Sequence, residues 1–148
     1  MSQMNCECHC PDYTMIPIKG FGLAVDASGL GGAGCCINYS LEEQWTGRLW
    51  VDGRKIYQKT WDCGNLPNNG GKQVPLNIPN IDKVVTFWGI ADEGNYFVVI
   101  PHVSTIHAQS LSAAVDLRTT APFILIASCT DHSPYTAYMT VQYICTDR

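Results

Sequence analysis

The clearest strand in the chain is YTAYMTVQYIC, residues Tyr135 to Cys145. Apolar or small side chains occupy every second position in it, and polar side chains and one tyrosine alternate with them. The first set is Ala137, Met139, Val141, Tyr143 and Cys145, and the second is Thr136, Tyr138, Thr140 and Gln142. A period of two places each set on its own face of a strand. The stretch therefore predicts a strand with one face in the core and one face turned away from it.

A β-hairpin is predicted upstream of this strand. Leu49-Trp50-Val51 and Ile56 to Trp61 are rich in β-branched and aromatic residues, and Asp52-Gly53 lies between them. An Asp-Gly pair in that position is typical of a type I′ turn, which needs positive φ angles at both residues. We therefore expect two antiparallel strands joined by a type I′ turn.

Similar short runs follow, separated by glycine, proline, asparagine and aspartate. They predict strands at Val74–Ile78, Lys83–Ile90, Asn95–Val103, Ser112–Leu117 and Phe123–Cys129. Phe123 to Ile126 is continuously apolar, which predicts a central strand buried on both faces. The polar, glycine-rich stretch from Leu66 to Gly71 predicts a turn.

Helical signals are confined to one short segment. Ser40-Leu41-Glu42-Glu43 has the Ser-x-x-Glu form of a capping box, and Thr46 and Gly47 end it, so it predicts a connector of about one turn. A three-layer α/β fold lacks the helices that it would require. The predicted fold is therefore all-β, an antiparallel β-sandwich of jelly-roll-like type.

The first 38 of the 148 residues differ from the rest. They hold Cys6, Cys8, Cys10, Cys35 and Cys36, together with the glycine-rich stretch from Gly20 to Gly34. Tyr13 to Ile18 and Phe21 to Val25 predict two short strands there. We therefore expect an N-terminal arm or attachment segment at residues 1–38 and one β-sandwich domain at residues 39–148.

The charge composition bears on partners and location. Charged residues make up 15% of the chain, where soluble domains have roughly 25%, and the formal net charge is −4. This balance argues against a nucleic-acid surface. No apolar run reaches the ~18 residues of a membrane span, so no membrane insertion is expected. The first ten residues lack the pattern of a signal peptide, which predicts a chain made in a cytoplasm.

A cysteine cluster near the N-terminus is the candidate metal site, formed by Cys6, Cys8, His9 and Cys10. The spacing is not that of a zinc ribbon, so a metal ion, a disulfide and reduced thiols all remain open for it. No other cofactor is expected. The three later cysteines, Cys63, Cys129 and Cys145, lie in strand patterns and are predicted to be small buried hydrophobic residues.

A nucleotide site is suggested by Gly29-Leu30-Gly31-Gly32-Ala33-Gly34, which matches G-x-G-x-x-G. That fingerprint requires a helix that begins at the glycines. The residues that follow, Cys35 to Tyr39, are not typical of a helix start. We interpret the stretch as a glycine linker.

Catalytic motifs are not found. The chain has neither G-x-S-x-G nor H-E-x-x-H, and the pairs Glu42-Glu43 and Asp92-Glu93 are neighbours that cannot face each other across a bond. His102, His107 and His132 are scattered and favour surface or inter-subunit packing. The sequence therefore predicts a protein that is not an enzyme.

Aromatic residues give the candidate binding site. Trp50, Trp61 and Trp88 lie in predicted strands and are assigned to the core or to an interface. Tyr96 and Tyr135 lie in loops, where a flat ring with a polar end suits contact with a ligand such as a sugar. These two tyrosines and His132 are the predicted ligand contacts.

A block of the chain resembles a family of viral domains. It comprises Tyr39 to Gln44, Gly47, Trp50, Asp52-Gly53, Ile56 to Thr60, Leu66-Pro67-Asn68 and Asn77 to Val84. The block looks like the C-terminal domain of tail-fibre, baseplate and head-fibre proteins of bacteriophages and prophages, and it covers about residues 39 to 91. Tyr135 to Tyr143 resembles the closing strand of the same domain.

The resemblance implies a β-sandwich that assembles as a trimer at the end of a fibre. It implies no catalytic residues, because its motif positions are turn and packing positions. Asp52-Gly53 forms a turn, and Asn77 and Asn80 hold an irregular connection through side-chain to backbone bonds.

The expected function is that of a bacteriophage virion structural protein, a small fibre, tail-tip, baseplate or head-decoration component. Its expected partners are itself, as a homotrimer, other virion proteins, and a glycan or protein of the host surface. Its expected location is the virion, after synthesis in the cytoplasm of a bacterial host. The alternatives are a lectin-like glycan-binding module without a virion role and an enzyme acting on surface polysaccharide.

Overall fold

The computed structural model describes residues 39–103 and 110–148, and within them it has eight strands. Their bounds are β1 Gln44–Leu49, β2 Lys55–Asn65, β3 Gly71–Pro75, β4 Ile81–Asp92, β5 Phe97–Ile100, β6 Leu111–Asp116, β7 Phe123–Ser128 and β8 Thr136–Cys145. The strands predicted at Tyr13–Ile18 and Phe21–Val25, and the arm as a whole, lie outside the described residues.

The strands form two antiparallel sheets. One has five strands in the order β1-β2-β8-β4-β5, and the other has three in the order β3-β7-β6. Residues 39–103 and 110–148 contain no helix. The architecture is therefore all-β and consistent with the predicted β-sandwich.

Strand β8 is the centre of the larger sheet, where it pairs with β2 and β4. The predicted alternation is confirmed, because Ala137, Met139 and Tyr143 are fully buried whereas Tyr138 is exposed. Thr140, on the same face as Tyr138, is also buried, and its hydroxyl shares a 2.8 Å hydrogen bond with that of Thr60 on β2. Each of these buried hydroxyl groups therefore has a hydrogen-bond partner on the neighbouring strand.

One apolar cluster joins the two sheets. Met139 and Trp61 of the larger sheet and Ile124, Ile126 and Leu111 of the smaller one belong to it. Strand β7 is central in its sheet, as predicted. It is not buried on both faces, since Phe123 and Leu125 are only half-buried between the buried isoleucines. That prediction was wrong because no further layer among the described residues covers the outer face of the smaller sheet.

The hairpin of β1 and β2 is confirmed, but its turn is not of type I′. Gly53 has a φ of 86°, whereas Asp52 is not among the residues with positive φ. The Gly53 N–H donates to the Trp50 carbonyl at 2.9 Å, and the Trp50 N–H donates to the Arg54 carbonyl at 2.8 Å. This pattern is the three-residue loop in which a type I turn is followed by a left-handed glycine.

The predicted helical connector at Ser40 to Glu43 was wrong. The Ser40 hydroxyl accepts from the Glu42 N–H at 3.0 Å, which makes a bend, and β1 begins at Gln44. In a capping box the glutamate reaches back to the serine N–H. Here the Glu43 carboxylate instead accepts from the Tyr143 hydroxyl and pairs with Arg148 at 2.5 Å.

Asparagines shape two connections. Asn77 and Asn80 precede β4 with φ angles of 53° and 59°, and Asn69 has a φ of 42° in the predicted turn between β2 and β3. Asparagine tolerates this left-handed region better than most residues do. The Asn80 amide donates to the Asp147 carboxylate at 2.9 Å, so its bond is to a side chain and not to the backbone as predicted.

The cysteine predictions were right for two of three described residues. Cys63 and Cys145 are buried, and burial raises the pKa of Cys63 to about 11. Cys129 is exposed in the connection between β7 and β8, which corrects its assignment to the core. It lies one residue beyond the end of β7, where the strand pattern no longer fixes a buried face.

Candidate functional site

Three connections meet at one end of the two sheets, and we call this the loop end. They are residues 66–70 between β2 and β3, 93–96 between β4 and β5, and 129–135 between β7 and β8. The Leu66 N–H donates to the Tyr135 carbonyl at 2.9 Å, and the Asn69 N–H donates to the Thr130 carbonyl at 2.8 Å. Backbone bonds therefore hold the first and third connections side by side.

The third connection is fixed from within by Ser128 and His132, which are both buried. The Ser128 hydroxyl is hydrogen-bonded to the His132 Nδ1 atom and donates to the Thr130 carbonyl at 2.6 Å. A buried serine and histidine in contact also occur in hydrolases. In this protein the same hydroxyl closes a turn and both side chains are enclosed, so the pair holds the shape of the loop.

The three predicted ligand contacts are brought together at the loop end. The rings of Tyr96 and Tyr135 meet edge to face with centroids 6.4 Å apart, and those of His132 and Tyr135 are 5.5 Å apart. Tyr96 is 60% exposed, Tyr135 is half-buried and His132 is buried. Tyr96 and Tyr135 therefore form the accessible part of the cluster, and His132 supports it from below.

Two acidic residues lie near these rings, Glu93 beside Tyr135 and Asp131 beside His132. Burial raises the pKa of Tyr135, and the neighbouring Glu93 carboxylate raises it further. Hydrogen bonds from Ser133 lower the pKa of Asp131, which lies in the same connection as Tyr135. An exposed aromatic face beside carboxylate and hydroxyl groups can stack on a sugar ring and bind its hydroxyls.

A second feature, the outer groove, lies on the face of the larger sheet that is turned away from the smaller one. It has a volume of ≈ 640 Å³. Its walls are mainly apolar and come from β4, β5, β8 and the segment before β1: Trp88, Ile90, Val99, Tyr138, Tyr39 and Leu41. The buried Thr60 and Thr140 pair lies at its base.

The register explains why these side chains share one face. Ile90 is paired with Tyr138 on one side and with Val99 on the other, and Trp88 is paired with Thr140. Residues directly opposite in a sheet project to the same side. The sequence predicted that Trp88 lies in a core or an interface, but it did not predict the groove. A signal for the groove was present, because Phe97 to Ile100 is continuously apolar and so gives a strand with two apolar faces.

Neither a metal-binding group nor a membrane-spanning helix is found among the described residues. Within residues 39–103 and 110–148, no group of three or more histidine, cysteine or acidic side chains is placed to hold a metal ion. The predicted metal site at Cys6, Cys8, His9 and Cys10, the Gly29 to Gly34 motif and His107 lie outside the described residues. In the part of the chain that is described, no helix has the length and apolar character needed to cross a membrane.

Comparison with known proteins identifies no relative. A scan against protein-family models, a search of curated proteins and a search of solved structures each returned no match.

Proposed function

We propose that this chain is a structural protein of a bacteriophage virion, a small fibre, tail-tip, baseplate or head-decoration component whose loop end faces outward. The observation that carries the proposal is the loop end itself. Backbone bonds hold the first and third connections together, and the ring contact between Tyr96 and Tyr135 joins the second to them at the end of the antiparallel sheets. Loops displayed by a rigid scaffold are a common arrangement for recognition.

The end of the larger sheet opposite the loop end supports this orientation. The Asn80 side chain, just before the first residue of β4, donates a hydrogen bond to the Asp147 carboxylate. The last residue of β4 leads into connection 93–96, which is part of the loop end. The C-terminal residues and the turn of β1 and β2 therefore lie opposite the loop end. Attachment through that opposite end would leave the loop end free.

The self-association that we propose is a homotrimer, and it rests on the resemblance to fibre domains together with the low charge. Several described cations are already engaged with carboxylates: Arg54 with Asp52 and Asp82, Arg118 with Asp116, and Arg148 with Glu43. A surface with few free charges packs against copies of itself at little desolvation cost. Other virion proteins and a glycan or protein of the host surface are the remaining proposed partners.

The proposal is tested by density-gradient fractionation of a lysate from infected or induced host cells. The chain should migrate with assembled particles, and gold-labelled antibody should mark one fixed place on them. The proposal would be contradicted if all of the chain were recovered at the density of free protein while intact particles were recovered in another fraction.

The second candidate function is a glycan-binding module without a virion role, and the aromatic cluster favours it. It predicts saturable binding of a sugar by the purified full chain, lost in Tyr96→Ala and kept in Tyr39→Ala, a similarly exposed tyrosine of the outer groove. Sugar binding combined with absence from particles would select this candidate over the first. The third hypothesis, an enzyme acting on surface polysaccharide, predicts release of reducing sugar from host envelope.

A further inference from the structure

The outer groove is an unusual surface for the outside of a protein. Tyr39, Leu41, Ile90, Val99 and Tyr138 are all exposed there. None of the described side chains that line the groove is charged. A contiguous apolar patch of this kind normally meets a partner.

The chain itself enters the groove at one wall. Tyr39 is the first described residue, and its side chain lines the groove together with that of Leu41. The Ser40 carbonyl accepts from the Thr60 N–H at 2.8 Å, which anchors this segment to β2. Residues 1–38 therefore connect to the domain at the rim of the groove.

The preceding sequence contains a segment whose chemistry matches the groove. Phe21, Leu23 and Val25 alternate with Gly22 and Ala24. In an extended segment the three large side chains lie on one side and the small ones on the other. Gly20 to Val25 carries no charge, in agreement with the uncharged walls.

The dimensions also agree. An extended segment from Phe21 to Val25 spans about 13 Å between its terminal Cα atoms. The groove crosses β2, β8, β4 and β5, and four adjacent strands measure about 14 Å from first to last. Residues 26–38 reach up to about 43 Å when extended, which is ample for a return to Tyr39.

From these observations we propose that Phe21 to Val25 of the same chain occupies the outer groove, with Phe21, Leu23 and Val25 packed on Trp88, Ile90, Val99 and Tyr138. The inference concerns the chain's own packing and does not depend on the proposed virion function. We assign this segment as the occupant because it is uncharged, of matching length and joined by residues 26–38 to Tyr39 and Leu41, which line the groove.

Photo-crosslinking of the full chain tests the proposal. A benzophenone amino acid replaces Val99 in the groove, and in a control chain it replaces Val51, which is 91% exposed in the turn between β1 and β2. Isotopically light and heavy chains are unfolded, mixed in equal amounts, refolded together and irradiated. Mass spectrometry should then show the Val99 site joined to residues 21–25 of its own chain. The Val51 site should not be joined to them.

Three results would overturn the proposal: a light-to-heavy cross-link, cross-links from the Val99 site only to residues 39–148 of its own chain, or no cross-link to protein. A second measurement uses Leu23→Lys, which should shift the docking equilibrium toward the open groove by about tenfold or more. Binding of a hydrophobic dye should then rise, whereas Ala27→Lys, outside the segment, should leave it unchanged. Equal dye binding by the two variants would also overturn the proposal.

Discussion

Gly89 occupies a position in β4 where only a hydrogen side chain fits. A Cβ atom there would lie 2.6 Å from the Tyr138 carbonyl oxygen and would overlap the Met139 side chain on β8. The strand pair β4 and β8 is the centre of the larger sheet. The close approach of the two strands therefore depends on this glycine.

Gly89→Ala should lower the free energy of unfolding by about 1–3 kcal/mol, because overpacking forces the two strands or Met139 to shift. Gly70→Ala is the matched control, since its Cβ would meet nothing closer than the Asn68 carbonyl oxygen at 3.7 Å. Urea denaturation of both variants measures the difference. Equal stability of the two variants would show that β4 and β8 are not packed as closely as described.

A charged pair at the turn between β6 and β7 gives a pH prediction. Hydrogen bonds from the Arg118 side chain and backbone lower the pKa of Asp116 to about 2, from an ordinary value of 3.8. A carboxyl with a lowered pKa in the folded state stabilises the fold above its unfolded pKa, and this contribution is lost as the pH falls toward 2. Arg118 is 88% exposed, so salt screens the effect.

Arg118→Gln should raise the pKa of Asp116 toward its ordinary value. The stability difference between wild type and variant should be largest above pH 4 and vanish below about pH 2. Carbon NMR titration of the Asp116 carboxyl measures the pKa directly. Arg48→Gln, which removes an exposed charge on β1, is the control and should leave that pKa unchanged. An Asp116 pKa that does not differ between wild type and Arg118→Gln would contradict the assignment.

At the scale of the strand, β7 has one face in the shared core and one face on the outside of the smaller sheet. Ile124 and Ile126 are fully buried in the shared core, whereas Phe123 and Leu125 lie on the outer face of the smaller sheet and are half-buried. The alternation follows from the two-residue period of a strand. Apolar sequence alone therefore does not distinguish the two faces.

Ile126→Ala should cost roughly 2–5 kcal/mol of unfolding free energy, because it leaves a cavity between the sheets. Leu125→Ala removes a similar volume from the half-buried face and should cost clearly less. Thermal or urea unfolding of the two variants measures how much unfolding free energy each substitution removes. A larger cost for Leu125→Ala would mean that the faces of β7 are reversed.

Most strands were predictable because their signals are local. The period of β8, the runs of β4 and β7 and the Asp52-Gly53 turn position were all recognisable in the sequence. The turn type was not, because it depends on the φ angle of Asp52, which the Asp-Gly pair does not determine. The Ser40 to Glu43 connector was mispredicted because Glu43 is bound by Tyr143 and Arg148, which are distant in sequence.

The candidate site was predictable in its residue types but not in its arrangement. Loop tyrosines were expected to contact ligand, and Tyr96 and Tyr135 do lie together. The loops after β4 and β7 are distant in sequence, so no local sequence pattern indicates that they lie next to each other. The outer groove was missed for a related reason, since it depends on the register that sets Ile90 between Tyr138 and Val99.

At the scale of the whole molecule, two surfaces remain without a described partner. The loop end presents polar aromatic groups on fixed loops, as a recognition surface does. The outer groove is apolar and uncharged, and we assign it to the chain's own Phe21 to Val25. Under the two proposals, the loop end makes the contacts with other molecules and the outer groove holds a segment of the chain itself.

The central claim, that this chain is a structural part of a virion, is tested most directly by quantitative mass spectrometry of gradient-purified particles. Particles washed at high salt should retain the chain at a copy number equal to a whole number of trimers. Purified particles that lack the chain, while the same lysate contains it in soluble form, would contradict the claim.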